Sequence, residues 1–106
     1  MNKNYNVLIS CGFQARQKGT MYLMDAMEMY TPGMSLTKEL YPAIAKKHQV
    51  SYASVERSMR HAIGCAAAQG QGDFHDTIVG KYMGRSIGEV LARLYCADKW
   101  GDWDED

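Results

Sequence analysis

The stretch Leu36–Ala67, LTKELYPAIAKKHQVSYASVERSMRHAIGCAA, decides the fold. Two segments with apolar residues at helical spacing flank a short polar break, His48-Gln49-Val50-Ser51. Helix, tight turn and helix with a basic outer surface is the plan of a helix-turn-helix, which holds its second helix clear of the body. A helix held in that way can enter a DNA major groove and present side chains to base edges.

The first of these segments predicts a helix over about Leu36 to His48. Pro42 falls well inside it, where the ring removes a backbone hydrogen bond and pushes on the preceding turn, so a kink is expected near Tyr41. Leu36, Leu40 and Ile44 should face inward, with Lys38, Lys46 and Lys47 solvated. Ser51 is placed to cap the next helix by accepting a hydrogen bond from a first-turn amide. That helix should run from Tyr52 to about Ala68 or Gln69, with Gly70 and Gly72 as its stop. At about 100° per residue, Val55, Met59, Ala62, Ile63 and Ala66 share one arc, the core face. Ser54, Arg57, Arg60, His61 and Gly64 fall opposite, and Glu56 lies at the boundary. Arginine can pair bidentately with guanine and glutamate can accept from the cytosine amino group, so this face has the groups that direct readout needs. The competing reading is a solvated amphipathic helix in which Glu56 pairs with Arg60 at i,i+4.

The remaining segments also read as helices: about Asn4 to Cys11, stopped by Gly12; Lys18 to Tyr30, with Met21, Leu23, Met24, Met27 and Tyr30 apolar on most sides; Asp73, as cap, to about Met83, with Phe74, Ile78 and Tyr82 inward; and a last helix to about Ala97. Ser86-Ile87-Gly88-Glu89 has the capping-box pattern in front of Ile87, Val90, Leu91 and Leu94. Sustained alternation and hairpin turns are missing, so the fold expected is all-α, with the helix-turn-helix over about 36–69.

The 106 residues suit one core, taken as a single domain over 1–97 followed by a tail over 98–106. The formal charge of zero is uneven: the last nine residues hold five acids and one lysine, while residues 1–97 hold eleven Lys/Arg against seven Asp/Glu. A mildly basic body permits a polyanionic partner. The tail, with Trp100 and Trp103, reads as a solvated end packing its tryptophans on the body, or as a phosphate mimic covering the basic face. No run approaches the roughly 18 apolar residues of a membrane span, and no signal peptide is visible, so a cytoplasmic location is expected. Cys11, Cys65 and Cys96 are odd in number and far apart, which suits reduced thiols rather than a disulfide framework or a zinc site.

The run from Leu40 to Ile63 resembles the DNA-binding effector domain of the sporulation master response regulator family, transcription factors that start sporulation. The resemblance rests on Leu40-Tyr41-Pro42, Ile44-Ala45-Lys46-Lys47, Val55-Glu56-Arg57 and Arg60-His61-Ala62-Ile63, and continues upstream through Lys18-Gly19 and Tyr22-Leu23. It implies a compact six-helix bundle that binds short DNA boxes, often as tandem head-to-tail copies. Glu56 and Arg57 match base-reading positions. Arg60 and His61 match the DNA-facing side, where phosphate contact or helix orientation is expected, and Lys46, Lys47, Ser51 and Ser54 join that backbone-contacting set. The family usually has arginine where Ser54 stands, which implies an altered preference. The sequence from Met1 matches the effector region alone, so the family's receiver domain is not expected here, and the connection from Tyr30 to Ser35 is shorter than in the family. The segment from Gln69 to Val79 occupies the place that touches the sigma subunit of RNA polymerase, and no residue is assigned to that contact.

A sequence-specific DNA-binding regulator is therefore expected, with double-stranded DNA as partner and a homodimer or tandem copies allowed. An interaction module that binds DNA weakly and antagonises a full-length relative is the alternative. Enzymatic activity is not expected: His61 and Cys65 sit at i,i+4, but no third orienting group, oxyanion donor or pocket accompanies them. Neither a metal nor a cofactor is expected, since His48, His61 and His75 have no recognised ligand spacing.

Overall fold

The computed structural model describes residues 3–81 and 83–100 of the chain. Six α-helices are found among the described residues, with no strand: α1 Lys3–Ser10, α2 Lys18–Met29, α3 Tyr41–His48, α4 Tyr52–Gln69, α5 Asp73–Ile78 and α6 Ile87–Trp100. The all-α expectation holds. α4 lies at the centre, and its Val55, Met59, Ala62, Ile63 and Ala66 are all buried, as the helical wheel predicts.

Ahead of α3, Leu36–Leu40 forms a π turn rather than an α-helical start. The Leu40 N–H donates to the Ser35 carbonyl and the Tyr41 N–H to the Leu36 carbonyl, both five residues back. Pro42 then stands in the first turn of α3, where its missing N–H costs little. The kink expected near Tyr41 is thus a widened turn that accommodates the ring. Ser35 and Glu39 close it: the Ser35 hydroxyl accepts from the Lys38 N–H, and the Glu39 carboxylate accepts from the Ser35 N–H.

The core stripe of α2 differs from the methionine-rich one expected. Gly19, Thr20, Tyr22, Leu23 and Ala26 are buried, Met24 and Met27 are half-buried, and Met21 is 43% exposed. Small residues win because α2 crosses α4 at very short range. A Cβ on Gly19 would lie 2.0 Å from the Ser58 carbonyl oxygen and 2.7 Å from the Ala62 methyl. No side chain larger than hydrogen fits there, and the crossing fixes α4 against the body.

The fifth helix is shorter than expected, ending at Ile78 instead of about Met83. Gly80 stops it: at φ +95° it leaves the helical region, and its N–H shares the His75 carbonyl with that of Val79. Gly72, not Asp73, occupies the cap position, with Asp73 as the first helical residue. Phe74 is half-buried and Ile78 buried, while Tyr82 lies outside the described residues. At α6 the capping box is half made. The Ser86 hydroxyl accepts from the Glu89 N–H at 3.2 Å, but the Glu89 carboxylate turns to Arg93 at 2.7 Å instead of reaching back. α6 also continues past Ala97 to Trp100, since the first residue that breaks helical propensity is Gly101. The rest of the acidic tail, with Trp103, lies outside the described residues.

The C-terminal half of α4 is clasped from this side. His75, 2% exposed, donates from Nε2 to the Ala66 carbonyl at 2.8 Å, and its Nδ1 meets Asp76 Oδ1 at 2.8 Å. Arg85 donates to the Asp76 carbonyl and Arg93 to that of Thr77, so two arginines here are spent on backbone acceptors.

Candidate nucleic-acid interface

The break between α3 and α4 is a tight turn built on Gln49 in the left-handed conformation, φ 57° and ψ 47°. The Val50 N–H donates to the Ala45 carbonyl at 3.0 Å, closing the end of α3. Ser51 then caps α4 as predicted, its Oγ accepting from the Ser54 N–H at 3.1 Å. The Ser51 and Ser54 hydroxyls also bond each other at 3.1 Å, so Ser54 is drawn into the cap. This turn projects the first turns of α4 outward, with Tyr52 47% exposed at the helix start.

Of the residues expected to meet DNA, Arg57, Arg60, His61, Lys46, Lys47 and Ser51 are exposed, and Ser54 and Glu56 are half-buried. Arg60 pairs with Glu56 along the helix, which is the intrahelical bridge expected of a solvated face. Arg57 forms no ion pair among the described residues, and its guanidinium keeps all its donors. His61 Nε2 lies 3.6 Å from Cys65 Sγ one turn further along. Tyr41 is buried beneath this face, and burial together with the Glu56 carboxylate pushes its hydroxyl above the ordinary tyrosine range, against the opposing Arg60 charge.

Asp25 of α2 is a member of the site that sequence reasoning missed. Its carboxylate takes Lys47 Nζ at 2.7 Å on one oxygen and His48 Nε2 at 2.5 Å on the other, pinning the C-terminus of α3 to α2. Burial disfavours its charge, yet the hydrogen bonds from His48 and Lys47, with their charges, win and hold the carboxyl below its usual value. Lys47 is correspondingly raised by Asp25. Tyr22 packs edge-on against His48 with ring centroids 5.1 Å apart, completing the brace. Lys46, in contrast, is exposed and without an ion pair among the described residues.

The second group missed from the sequence is at the start of α2. Gln17, Lys18 and Gly19 line one side of an open cleft whose other side is Arg57, Ser58 and His61 of α4. The signal for it was present locally, since a lysine opens α2 with no acid in the first turn, but its proximity to Arg57 follows only from the Gly19 crossing.

The three histidines each have a different partner, His48 on Asp25, His61 on Cys65 and His75 on Ala66 and Asp76, and no group of three or more metal-ligating side chains is found among the described residues. Cys11, Cys65 and Cys96 are free thiols, and burial pushes Cys11 up to about 12. None of the described helices is long and apolar enough to cross a membrane.

A capped helix carrying Glu56, Arg57, Arg60 and His61 outward, held by a tight turn to a braced basic helix, is the arrangement of a helix-turn-helix DNA-binding domain. The family model for the sporulation initiation factor Spo0A C terminal matches residues 5–92, nearly all of the described helices, and the chain belongs to that family of DNA-binding transcription-regulator domains.

Proposed function

We propose that the chain is a sequence-specific DNA-binding regulator that inserts the first turns of α4 into the major groove. The observation that carries this reading is Arg57, exposed on the outer face of α4 with no ion-pair partner among the described residues. An unpaired guanidinium is set to read guanine, and Glu56, held by Arg60, is set to accept from a base amino group. His61, Lys46 and the capped Ser51–Ser54 end supply backbone contacts and orientation. Lys47 contributes less in this reading, because Asp25 already holds its ammonium. A second copy of the chain on a neighbouring box, and the sigma subunit of RNA polymerase approached through residues 69–79, are further partners supported by the family resemblance alone.

A second reading draws on Ser54. Its hydroxyl is occupied by the Ser51 cap, so a position where the family usually has arginine makes no long-range contact. In that reading the domain binds DNA weakly and acts on a full-length relative. Selection of bound duplexes from random DNA, followed by a salt titration, separates the two. A regulator yields a defined box and loses affinity steeply with salt; an interaction module yields no box and a nearly flat salt response.

A further inference from the structure

His61 and Cys65 lie one turn apart on the outer side of α4, with Cys65 Sγ 3.6 Å from His61 Nε2. An imidazole nitrogen and a thiol sulfur are the donors that a thiophilic cation such as Zn2+ takes. A tetrahedral zinc ion, with bonds of about 2.3 Å to sulfur and about 2.0–2.1 Å to nitrogen, holds two such ligands about 3.5–3.6 Å apart. The gap between Sγ and Nε2 already matches that bite. The same i,i+4 spacing on one helix face provides two ligands in H-E-x-x-H zinc sites, where a second histidine stands in place of the cysteine.

Its surroundings set this pair apart from the other histidines and cysteines. His48 Nε2 is taken by Asp25, and His75 has the Ala66 carbonyl on one nitrogen and Asp76 on the other. Cys11 is buried, and the exposed Cys96 has no histidine contact among the described residues. His61 is exposed, Cys65 is half-buried, and His61 lines the open cleft it shares with Gln17, Lys18, Arg57 and Ser58, so an ion reaches the pair from solvent. The helix beneath is fixed, since Ala62, Ile63 and Ala66 are buried between and beside the two ligands. Donors carried on a packed helix lose little freedom when they close on an ion.

We propose that His61 and Cys65 form a two-point chelate for a thiophilic divalent cation of the zinc class. Binding exchanges the thiol proton for the ion: Cys65 releases H+ to solvent, Sγ and Nε2 each donate an electron pair, and water fills the remaining positions. No cluster of three metal-ligating side chains is found among the described residues, so the ion exchanges with solvent and does not hold the fold together. An ion at this place takes His61 away from the duplex. That consequence, unlike the chelate itself, rests on the DNA-binding reading of α4.

The test is a titration of the full, reduced chain with Co2+, whose bond to a thiolate gives a charge-transfer band in the near ultraviolet, followed by displacement with Zn2+. Circular dichroism confirms that each variant is folded. Wild type should show a band that saturates at one ion per chain and disappears as Zn2+ is added. Cys65→Ser should abolish the band, His61→Gln should weaken Co2+ binding by at least about tenfold, and Cys96→Ser should change neither. The chelate is overturned if wild type gives no thiolate band, if the band survives in Cys65→Ser or is lost in Cys96→Ser, or if His61→Gln binds as wild type does. With the selected duplex, Zn2+ should lower the DNA affinity of wild type several-fold and leave that of Cys65→Ser unchanged; an equal response of the two overturns the effect on DNA. If wild type binds no duplex, the reading of α4 fails, while the cobalt band still decides the chelate.

Discussion

The two ends of α4 use the same residue types in opposite ways. Around its C-terminal half, His75 is buried against the Ala66 carbonyl, and Arg85 and Arg93 are bound to the carbonyls of Asp76 and Thr77. Around its N-terminal half, Arg57, Lys46 and Lys18 stand exposed with no ion pair among the described residues. A charge count treats these arginines and lysines alike. What separates them is whether the fold has already supplied an acceptor: a cation bound to a backbone carbonyl holds the structure together, and one left in water keeps its donors for a partner.

Substitutions at the two ends should therefore separate stability from binding. The largest effect is expected at the helix crossing. Gly19→Val puts methyl groups into the Ser58 backbone, so it should lower stability by about 3 kcal/mol or more and weaken DNA binding with it, read by thermal melts and titration. His75→Ala should come next, costing about 2–3 kcal/mol by emptying a buried site and removing one of the two hydrogen bonds to the Ala66 carbonyl, which keeps only that from the Gly70 N–H. The folded fraction of that variant should bind DNA as wild type does. If its affinity falls as sharply as its stability, the two ends are coupled and the comparison breaks.

Asp25→Asn tests the brace between α2 and the end of α3, on the DNA-facing side. The Asp25 carboxyl lies below its usual value, so the folded chain binds that proton more weakly than the unfolded one. Its contribution is complete above the unfolded carboxylate value of about 3.9 and disappears as pH falls through the lower folded value. The variant should be less stable than wild type near neutrality and should lose less stability on acidification from about pH 5 to 2. Equal acid limbs in the two proteins would mean that Asp25 does not hold Lys47 and His48 in solution. The smallest contrast is between two neighbouring lysines. Lys46→Ala should weaken binding to every duplex several-fold, and Lys47→Ala less, because Asp25 competes for that ammonium.

Much of the fold was legible because its signals are local. Ser51 and Ser86 mark two helix starts by their capping chemistry, and Val55, Met59 and Ile63 mark the buried face of α4 by spacing alone. Pro42 announced a disturbance at Tyr41, though not its form as a π turn. Misjudgements arose where two local signals competed. Gly80 ends α5 before the apolar spacing of Phe74 and Ile78 runs out, and Glu89 prefers Arg93 to its own cap. The candidate site was half legible. Glu56, Arg57 and His61 share a face of one helix, whereas Asp25 joins it through Lys47 and His48 of α3, and Lys18 through the α2–α4 crossing, contacts between residues distant in sequence that periodicity within a helix does not encode.

The central claim is that Arg57 reads a base. Binding of wild type and Arg57→Ala to the selected box, and to boxes substituted at each position, tests it most directly. The account predicts that Arg57→Ala loses about 1–3 kcal/mol on the selected box, loses discrimination at one position only, and melts as wild type does. Unchanged affinity and unchanged preference at every position would contradict it.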